Sequence, residues 1–318
     1  MRGTNESWLP VRAALQPDGL YLAGREIPAA ELRDAFLQET IARLPATDSI
    51  VRIGREDVGK AAADTAPAGI VFHVARCGST VISQLLRELD AVVYAEPQPV
   101  NELLLPPHAW PRDELVAALR SLAAAFARHA AGRYVLKLSS WNTLFCGLLT
   151  EAFPHSPWVL SLRDPVEVCV SLLAQPPGWL RAGEAPAQRL YAVVQPQGAP
   201  ASAEERVARV FGAFCEAAAQ LEPSRGRLVP HPALPAAVWD TVAPHFGLAM
   251  NEDARRRMAR AASNYSKSPV GRVSAYADDS ARKRAAASAE LRGAIDVFAR
   301  PALQRLLALH APTAATAQ

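Results

Sequence analysis

Residues 70–86 read IVFHVARCGSTVISQLL, and this stretch decides how the chain folds. Its first five residues are apolar except for one histidine, which is typical of a strand buried on both faces of a sheet. The apolar positions after residue 80 recur with helical spacing and predict a helix over residues 79–89. Between strand and helix lies the turn ARCGST, residues 75–80. Its glycine lets the backbone approach a ligand, and the first N–H groups of a helix attract anions.

The alternation of strand and helix continues along the chain. Further apolar runs predict strands at 91–97, 133–139, 157–164 and 226–234. Helical patterns lie between and after them, at 113–130, 143–153, 165–174, 203–221, 235–247, 251–262 and about 281–310. This alternation predicts an α/β fold, a parallel sheet flanked by helices. We expect residues 67–311 to form that domain and residues 312–318 to be a disordered tail.

Residues 1–66 precede the alternating pattern and are expected to form a small α+β extension. Within it, the segment PDGLYLAGREI, residues 17–27, predicts a hairpin with turns at Asp18-Gly19 and at Gly24. Residues 29–44 have helical periodicity, and a short linker follows at 61–69. The extension is a candidate to contact a substrate or a second subunit.

Composition limits the classes of function. The chain has 318 residues, half of them apolar, and a formal charge of +3, which does not indicate a nucleic-acid partner. No apolar run is long enough to span a bilayer and the N-terminus does not resemble a signal peptide, so we expect a cytoplasmic protein. A homo-oligomer stays an open alternative. The four cysteines lack metal-binding spacing, so we expect reduced thiols and no metal: Cys77, Cys146, Cys169 and Cys215.

The turn ARCGST and the residues after it resemble the first phosphate-binding loop of the sulfotransferases, which usually reads P-[KR]-S-G-T-T-x-L. Arg76 falls on the basic position, Gly78 on the glycine, and Ser79 and Thr80 on the threonine pair. Cys77 and the alanine before Arg76 depart from that pattern. The turn lacks the Gly-Lys-[Ser/Thr] of nucleoside-triphosphate loops, so magnesium-dependent chemistry is less well supported.

Residues 160–173, LSLRDPVEVCVSLL, resemble the second nucleotide motif of the same family, R-[DN]-P-x-[DE]-x-x-x-S. Arg163 ends a predicted strand, and Ser171 lies about two helical turns further on, so both can reach one rim of the sheet. The resemblance implies that they bind the 3′-phosphate of 3′-phosphoadenosine 5′-phosphosulfate (PAPS). From the residues alone, Arg163 could instead pair with a local carboxylate, and Ser171 could be a buried hydroxyl.

The resemblance implies a P-loop nucleoside triphosphate hydrolase-like fold and transfer of a sulfuryl group to a hydroxyl or amine of a small-molecule or glycan acceptor. PAPS would be the donor, 3′,5′-diphosphoadenosine the product, and no metal would be needed. The nucleotide contacts implied are Arg76, Cys77, Gly78, Ser79, Thr80, Arg163 and Ser171. A basic segment, residues 265–276, resembles the C-terminal loop that closes over the nucleotide, with Lys267 and Arg272 as anion contacts or as part of a solvated loop.

Three polar residues at predicted strand ends are candidates for catalysis or packing. Glu96 follows the second strand of the sheet, as a glutamate does in some sulfotransferases, and is the candidate base; a surface glutamate and a rival base, His108, are the alternatives. Lys137 ends the third strand and resembles a family lysine near the bridging oxygen, or extends to water. Arg76 and Lys137 would stabilise developing charge. His73, inside an apolar strand, is expected to be a core histidine.

Two other functions stay open: a small-molecule kinase using ATP, and a nucleotide-binding module without catalysis. The acceptor is not identified by these patterns. Residues 175–202, rich in proline and glycine, predict a long excursion or a lid, in which Trp179 and Tyr191 could form an aromatic wall.

Overall fold

The structure is a computed structural model that describes residues 7–45, 48–60, 65–181, 190, 200–263 and 279–311. Several predicted features lie outside the described residues: part of the 61–69 linker, Tyr191, Lys267, Arg272 and the tail at 312–318.

The N-terminal extension contains a three-stranded antiparallel sheet in the order β1-β2-β3, with β1 at Trp8–Gln16, β2 at Gly19–Glu26 and β3 at Ser49–Gly54. The hairpin turn predicted at Asp18-Gly19 is confirmed. The turn predicted at Gly24 is wrong, because Gly24 lies inside β2. A Cβ there would come 2.3 Å from the Trp8 indole, so the glycine makes room for a buried ring.

The helix predicted for residues 29–44 is shorter than expected. A 3₁₀ turn occupies Ala29–Glu31, and helix α1 spans Leu37–Arg43. Phe36 is the N-cap residue of α1, with extended backbone angles, and its N–H donates to the Glu39 side chain. This bond satisfies one of the N–H groups that a helix start leaves unpaired, so α1 begins at residue 37 rather than earlier.

The remaining strands form a five-stranded parallel sheet. They are β4 at Gly69–His73, β5 at Val92–Ala95, β6 at Tyr134–Lys137, β7 at Trp158–Leu162 and β8 at Gly226–Pro230, in the order β5-β6-β4-β7-β8. Every predicted strand of the sheet is present. From β4 the chain goes to β5 at one edge of the sheet and returns to β6, which lies between β5 and β4. It then continues on the other side of β4 with β7 and β8, so the direction in which strands are added reverses at β4. Ligands of open α/β sheets bind at such a reversal, beyond the carboxyl ends of the strands.

Helices cover both faces of this sheet, which confirms the predicted α/β class. Ile70 and Phe72 of β4 pack into one buried cluster, whereas Val71 packs into a second cluster on the opposite face. The helices are α2 Ser79–Leu86, α3 Gln98–Leu104, α4 Arg112–Ala130, α5 Cys146–Ala152, α6 Pro165–Ala174, α7 Ala203–Ala218, α8 Ala243–His245, α9 Glu252–Ser263, α10 Ser280–Ala286, α11 Ala289–Ala294 and α12 Arg300–Leu309.

The last helical region departs from prediction. Instead of one helix from about 281 to 310, α10 ends and α11 begins after a break at Ala287 and Ser288. The Ser288 side chain accepts a hydrogen bond from the N–H of Leu291 and so caps a new helix. Among the described helices, none has the length and apolar character needed to cross a bilayer.

Candidate functional site

A cleft of about 420 Å³ opens at the carboxyl ends of β4, β5 and β6, next to the topological reversal. Its floor carries the turn at 75–80 together with His73, Glu96 and Lys137. Its walls include the apolar side chains of Phe36, Leu172, Pro177 and Trp179. The structure therefore gathers the first predicted anion motif and both strand-end candidates into one cavity.

The turn at 75–80 has an unusual backbone. Ala75, Arg76 and Gly78 all have positive φ values, 64°, 49° and 84°. A Cβ on Gly78 would displace the Leu234 side chain, 2.9 Å away, and the φ of 84° is one that residues with a side chain rarely adopt, so this backbone conformation favours glycine. In the described part of the chain, no backbone carbonyl accepts from the N–H groups of Gly78 and Thr80. A curled backbone with N–H groups open at a helix start is a typical anion site.

Ser79 and Thr80 begin helix α2, but neither caps it. The N-cap residue is Gly78, and no side chain accepts a capping hydrogen bond there. Both residues line the cleft beside the turn. Their hydroxyls therefore lie where they can donate to an anion held by the turn.

Lys137 and Glu96 form an ion pair at the floor of the cleft. The Lys137 side chain is 1% exposed and that of Glu96 is 27% exposed, so the pair has a buried cation and a carboxylate that reaches the cavity. Ser139 Oγ lies 3.4 Å from the second oxygen of Glu96. The alternative that Lys137 extends to water is wrong, because its side chain is buried and its ammonium lies between Glu96 and the ring of Phe36.

Glu96 is positioned by the sheet itself. It follows β5 with a positive φ of 55°, and its N–H donates to the Lys137 carbonyl across the β5–β6 pairing. A non-glycine residue in the left-handed region costs free energy that the surrounding structure must offset. Here that backbone turns the carboxylate back over the sheet edge toward Lys137.

His73 is buried with satisfied hydrogen bonds, as predicted. Its Nε2 lies 2.9 Å from the Leu138 carbonyl, and its Nδ1 accepts from the N–H of Ala75 at 3.2 Å. These partners assign the neutral tautomer with the proton on Nε2. Burial, with the nearby Lys137 charge, holds the pKa of His73 well below its usual value.

The histidine also belongs to the cleft, which the sequence interpretation missed. Its Nε2 lies 3.8 Å from a Glu96 oxygen, and its ring holds the first residue of the 75–80 turn. The signal in the sequence is its position at the carboxyl end of β4, the strand that comes before β5 and the predicted base Glu96 in the chain.

Arg76 and Cys77 occupy the turn in different ways. The Arg76 guanidinium donates to the Gln175 carbonyl at 2.7 Å, which links the turn to the end of α6. Cys77 is fully buried, and burial raises the pKa of its thiol. Cys77 thus lines the cleft mainly as part of the turn, with its thiol held inside the fold.

Arg163 lies beside the turn, but its charge is already paired. Its guanidinium donates to Glu167 at 2.6 Å and to Asp279 at 2.7 Å, and its Nη1 lies 3.4 Å from the Arg76 carbonyl. The alternative of pairing with a local carboxylate is therefore realised by Glu167, and the distant Asp279 joins that pair. Arg163 and Ser171 do not belong to the residues that line the 420 Å³ cleft.

The two carboxylates are held ionised by this cluster. Burial would raise the pKa of Asp279, but hydrogen bonds from Lys283 and Arg163 outweigh it and lower that pKa to about 2. Burial would also raise the pKa of Glu167, but hydrogen bonds from Arg163 and Ser280 outweigh this effect and lower that pKa. Asp279 thus reaches from the segment before α10 to the strand end at β7.

The rival base His108 is exposed in the loop after α3 and does not line the cleft. Within the residues that the structure describes, no three or more histidine, cysteine, aspartate or glutamate side chains form a group that could hold a metal ion.

No family model matches the chain, and no curated protein matches it. Solved structures do. A sulfotransferase from Mycobacterium avium is 15% identical, with a TM-score of 0.43 over 80% of this chain and 77% of its own. One from Alicyclobacillus acidocaldarius is 15% identical, with a TM-score of 0.41 over 77% of this chain and 95% of its own.

The sulfotransferase domain of a Synechococcus olefin synthase is also similar. It is 12% identical, with a TM-score of 0.41 over 59% of this chain and 75% of that chain. The chain is thus similar to these solved sulfotransferases over part of its length, with TM-scores of 0.41 to 0.43.

Proposed function

We propose that the protein is a sulfotransferase that moves a sulfuryl group from PAPS to a hydroxyl or amine of a small-molecule or glycan acceptor. One observation carries the proposal: the anion-type turn at 75–80 and the Lys137–Glu96 pair face the same cleft. Group transfer from an anionic donor needs a cradle for that anion and a proton acceptor within reach of it. Both lie at the sheet edge where α/β folds bind ligands.

The residues of the turn suit a phosphosulfate group. The N–H groups of Gly78 and Thr80, the two hydroxyls and the Arg76 guanidinium are all donors. Oxygen anions accept such bonds, and an arginine fork offers two of them at once. Lys267 and Arg272, outside the described residues, are proposed as further contacts on the strength of the motif alone.

Sulfuryl transfer forms a bond from the acceptor oxygen or nitrogen to sulfur, breaks the sulfur–oxygen bond to the donor phosphate, and releases the acceptor proton. Glu96 would take that proton, because its carboxylate is the part of the ion pair that reaches the cavity. Lys137 and Arg76 would stabilise the charge that develops on the departing phosphate oxygen.

Arg163 and Ser171 are proposed to bind the 3′-phosphate. Arg163 already donates to two carboxylates, so a phosphate would have to replace the Asp279 carboxylate. That exchange is chemically matched, since phosphate and carboxylate oxygens accept the same bidentate donors.

The test begins with nucleotide binding by calorimetry. We expect 3′,5′-diphosphoadenosine to bind more tightly than ATP with magnesium; the reverse order would favour the kinase alternative. Transfer from PAPS is then measured by mass spectrometry over a panel of alcohols, phenols, amines and sugars. Binding without transfer to any acceptor would favour the non-catalytic module.

Glu96→Gln tests the base. We expect transfer to fall by about 10²- to 10⁴-fold, as loss of a general base predicts, while diphosphoadenosine binding is retained. Glu88→Gln is the matched control, because Glu88 pairs with Arg257 on the surface, 3.6 Å away, and does not line the cleft. Unchanged transfer by Glu96→Gln would remove Glu96 from the reaction.

A further inference from the structure

The N-terminal extension contributes an aromatic ring to the cleft. Phe36, the residue before α1, lines the cavity with part of its side chain exposed there. Its ring centroid lies 5.3 Å from Lys137 Nζ, so the ring covers the cation of the ion pair. The ring therefore lies next to the ion pair, and both line the same cleft.

Three sets of hydrogen bonds fix the segment that carries Phe36. Its N–H donates to Glu39 at 3.2 Å, within the first turn of α1. Two residues earlier, Asp34 accepts from Thr40 at 2.8 Å and from Arg43 at 3.0 Å. These hydrogen bonds tie the residues before α1 to the helix itself.

The third contact comes from helix α2, which follows the turn at 75–80. Arg87, at the C-terminal end of α2, lies 3.4 Å from the Arg33 carbonyl. Helix α2 thus follows the turn at 75–80 at its N-terminal end and contacts the segment before Phe36 at its C-terminal end. The ring is pre-organised relative to the turn, which is what a specificity-determining contact requires.

Apolar side chains from a second part of the chain line the same cleft. Leu172 at the end of α6, and Pro177 and Trp179 after it, line the cleft. Gln175 lines the cleft beside them, whereas the other polar lining residues lie after the strands β4, β5 and β6 or in the turn at 75–80. A sugar would bring many hydroxyls against walls that offer them few partners, and unmet polar groups oppose binding.

We propose that Phe36 is a specificity-determining residue for the acceptor, which is an uncharged alcohol or phenol with a flat, apolar carbon skeleton. The acceptor's hydroxyl is directed to Glu96, and its carbon skeleton packs against Phe36, with Trp179 as a second aromatic side chain that lines the cleft. This inference rests on the proposed sulfotransferase function, and it selects against polyhydroxylated acceptors.

The test compares 2-naphthol with methyl glucoside as acceptors, at saturating PAPS. We expect wild-type kcat/KM for the naphthol to exceed that for the glucoside by at least about a hundredfold, as unmet sugar hydroxyls predict. Phe36→Leu keeps an apolar side chain but removes the ring. Its KM for the naphthol is expected to rise about three- to tenfold with kcat nearly unchanged, the loss of one aromatic contact.

Two controls guard against a folding defect. Phe36→Tyr keeps the ring, so its KM for 2-naphthol is expected to be lower than that of Phe36→Leu. Ile50→Ala changes a side chain of the same extension that is 72% exposed and outside the cleft, and should leave both acceptors unaffected. Diphosphoadenosine binding is measured for every variant and should match that of the wild type.

The outcomes separate the two proposals. A wild type that does not bind diphosphoadenosine overturns the sulfotransferase proposal itself. A wild type that binds it but transfers to the glucoside as well as to the naphthol, or not to the naphthol, overturns only the acceptor inference. So does a Phe36→Leu variant that binds diphosphoadenosine normally and keeps the wild-type KM for the naphthol.

Discussion

The ion pair between Lys137 and Glu96 predicts an asymmetric response to removal of either partner. Glu96→Gln leaves a lysine that is 1% exposed without its counter-charge. Breaking a buried pair in this way costs about 3–5 kcal/mol, and we expect about 3 kcal/mol because the glutamine oxygen still accepts from Nζ. Lys137→Met leaves a carboxylate that is 27% exposed and has Ser139 within 3.4 Å, so about 1–2 kcal/mol is expected.

Urea unfolding of the wild type, both single variants and the double variant measures this difference. The double variant should be less destabilised than the sum of the single ones, with a coupling free energy of about 1–3 kcal/mol. Glu88→Gln, at a surface pair, should cost less than about 1 kcal/mol. Additive single effects, or a Lys137→Met loss equal to or larger than that of Glu96→Gln, would refute the picture of a buried cation with a water-accessible carboxylate.

Gly78→Ala places a side chain at φ 84°, so we expect about 1–2 kcal/mol lower stability in urea and weaker diphosphoadenosine binding. Gly293→Ala is the control, because no atom lies near its Cβ, and it should not destabilise the protein. Equal effects of the two variants would contradict a special role for glycine in the turn at 75–80. Asp279→Asn removes one carboxylate from Arg163, so diphosphoadenosine should bind more tightly in calorimetry, and weaker binding would argue against phosphate exchange at Arg163. Burial and the Lys137 charge keep the pKa of His73 far below 6.5, so below that pH the unfolded chain takes up a proton that the folded protein does not. Stability in urea should therefore fall as pH drops below 6.5, by up to about 1.4 kcal/mol per pH unit from this residue, and a His73→Gln variant with the wild-type slope would contradict it.

Much of the fold was predictable because its signals are local. Helix α6 begins and ends where the sequence predicts, since the Asp164 side chain accepts from two N–H groups of the first turn and Pro165 fits the first helical position. The run at β4 is buried at every residue, as a strand covered on both faces must be. By contrast, the sequence pattern does not predict helix α3, and it predicts one continuous helix across the break at Ser288.

The candidate site was partly predictable for the same reason. Residues at the carboxyl ends of parallel strands share one edge of a sheet, so Glu96, Lys137 and the turn at 75–80 could be expected near one another. Their sequence neighbours did not indicate which charges would pair. Arg163 illustrates this, because the motif suggests a phosphate contact, whereas the folded chain brings Asp279 to it from far along the sequence.

The order of strands and helices, the glycine turn and the placement of charged residues at strand ends follow from the order of amino acids, because each depends on interactions within a few residues. The pairing of β5 with β6, which brings Glu96 to Lys137, and the position of Phe36 over that ion pair follow from the folded arrangement of the chain. These contacts join segments distant in the chain. They depend on which surfaces pack together, and the free energy of that packing comes from burial over the whole domain rather than from any local pattern.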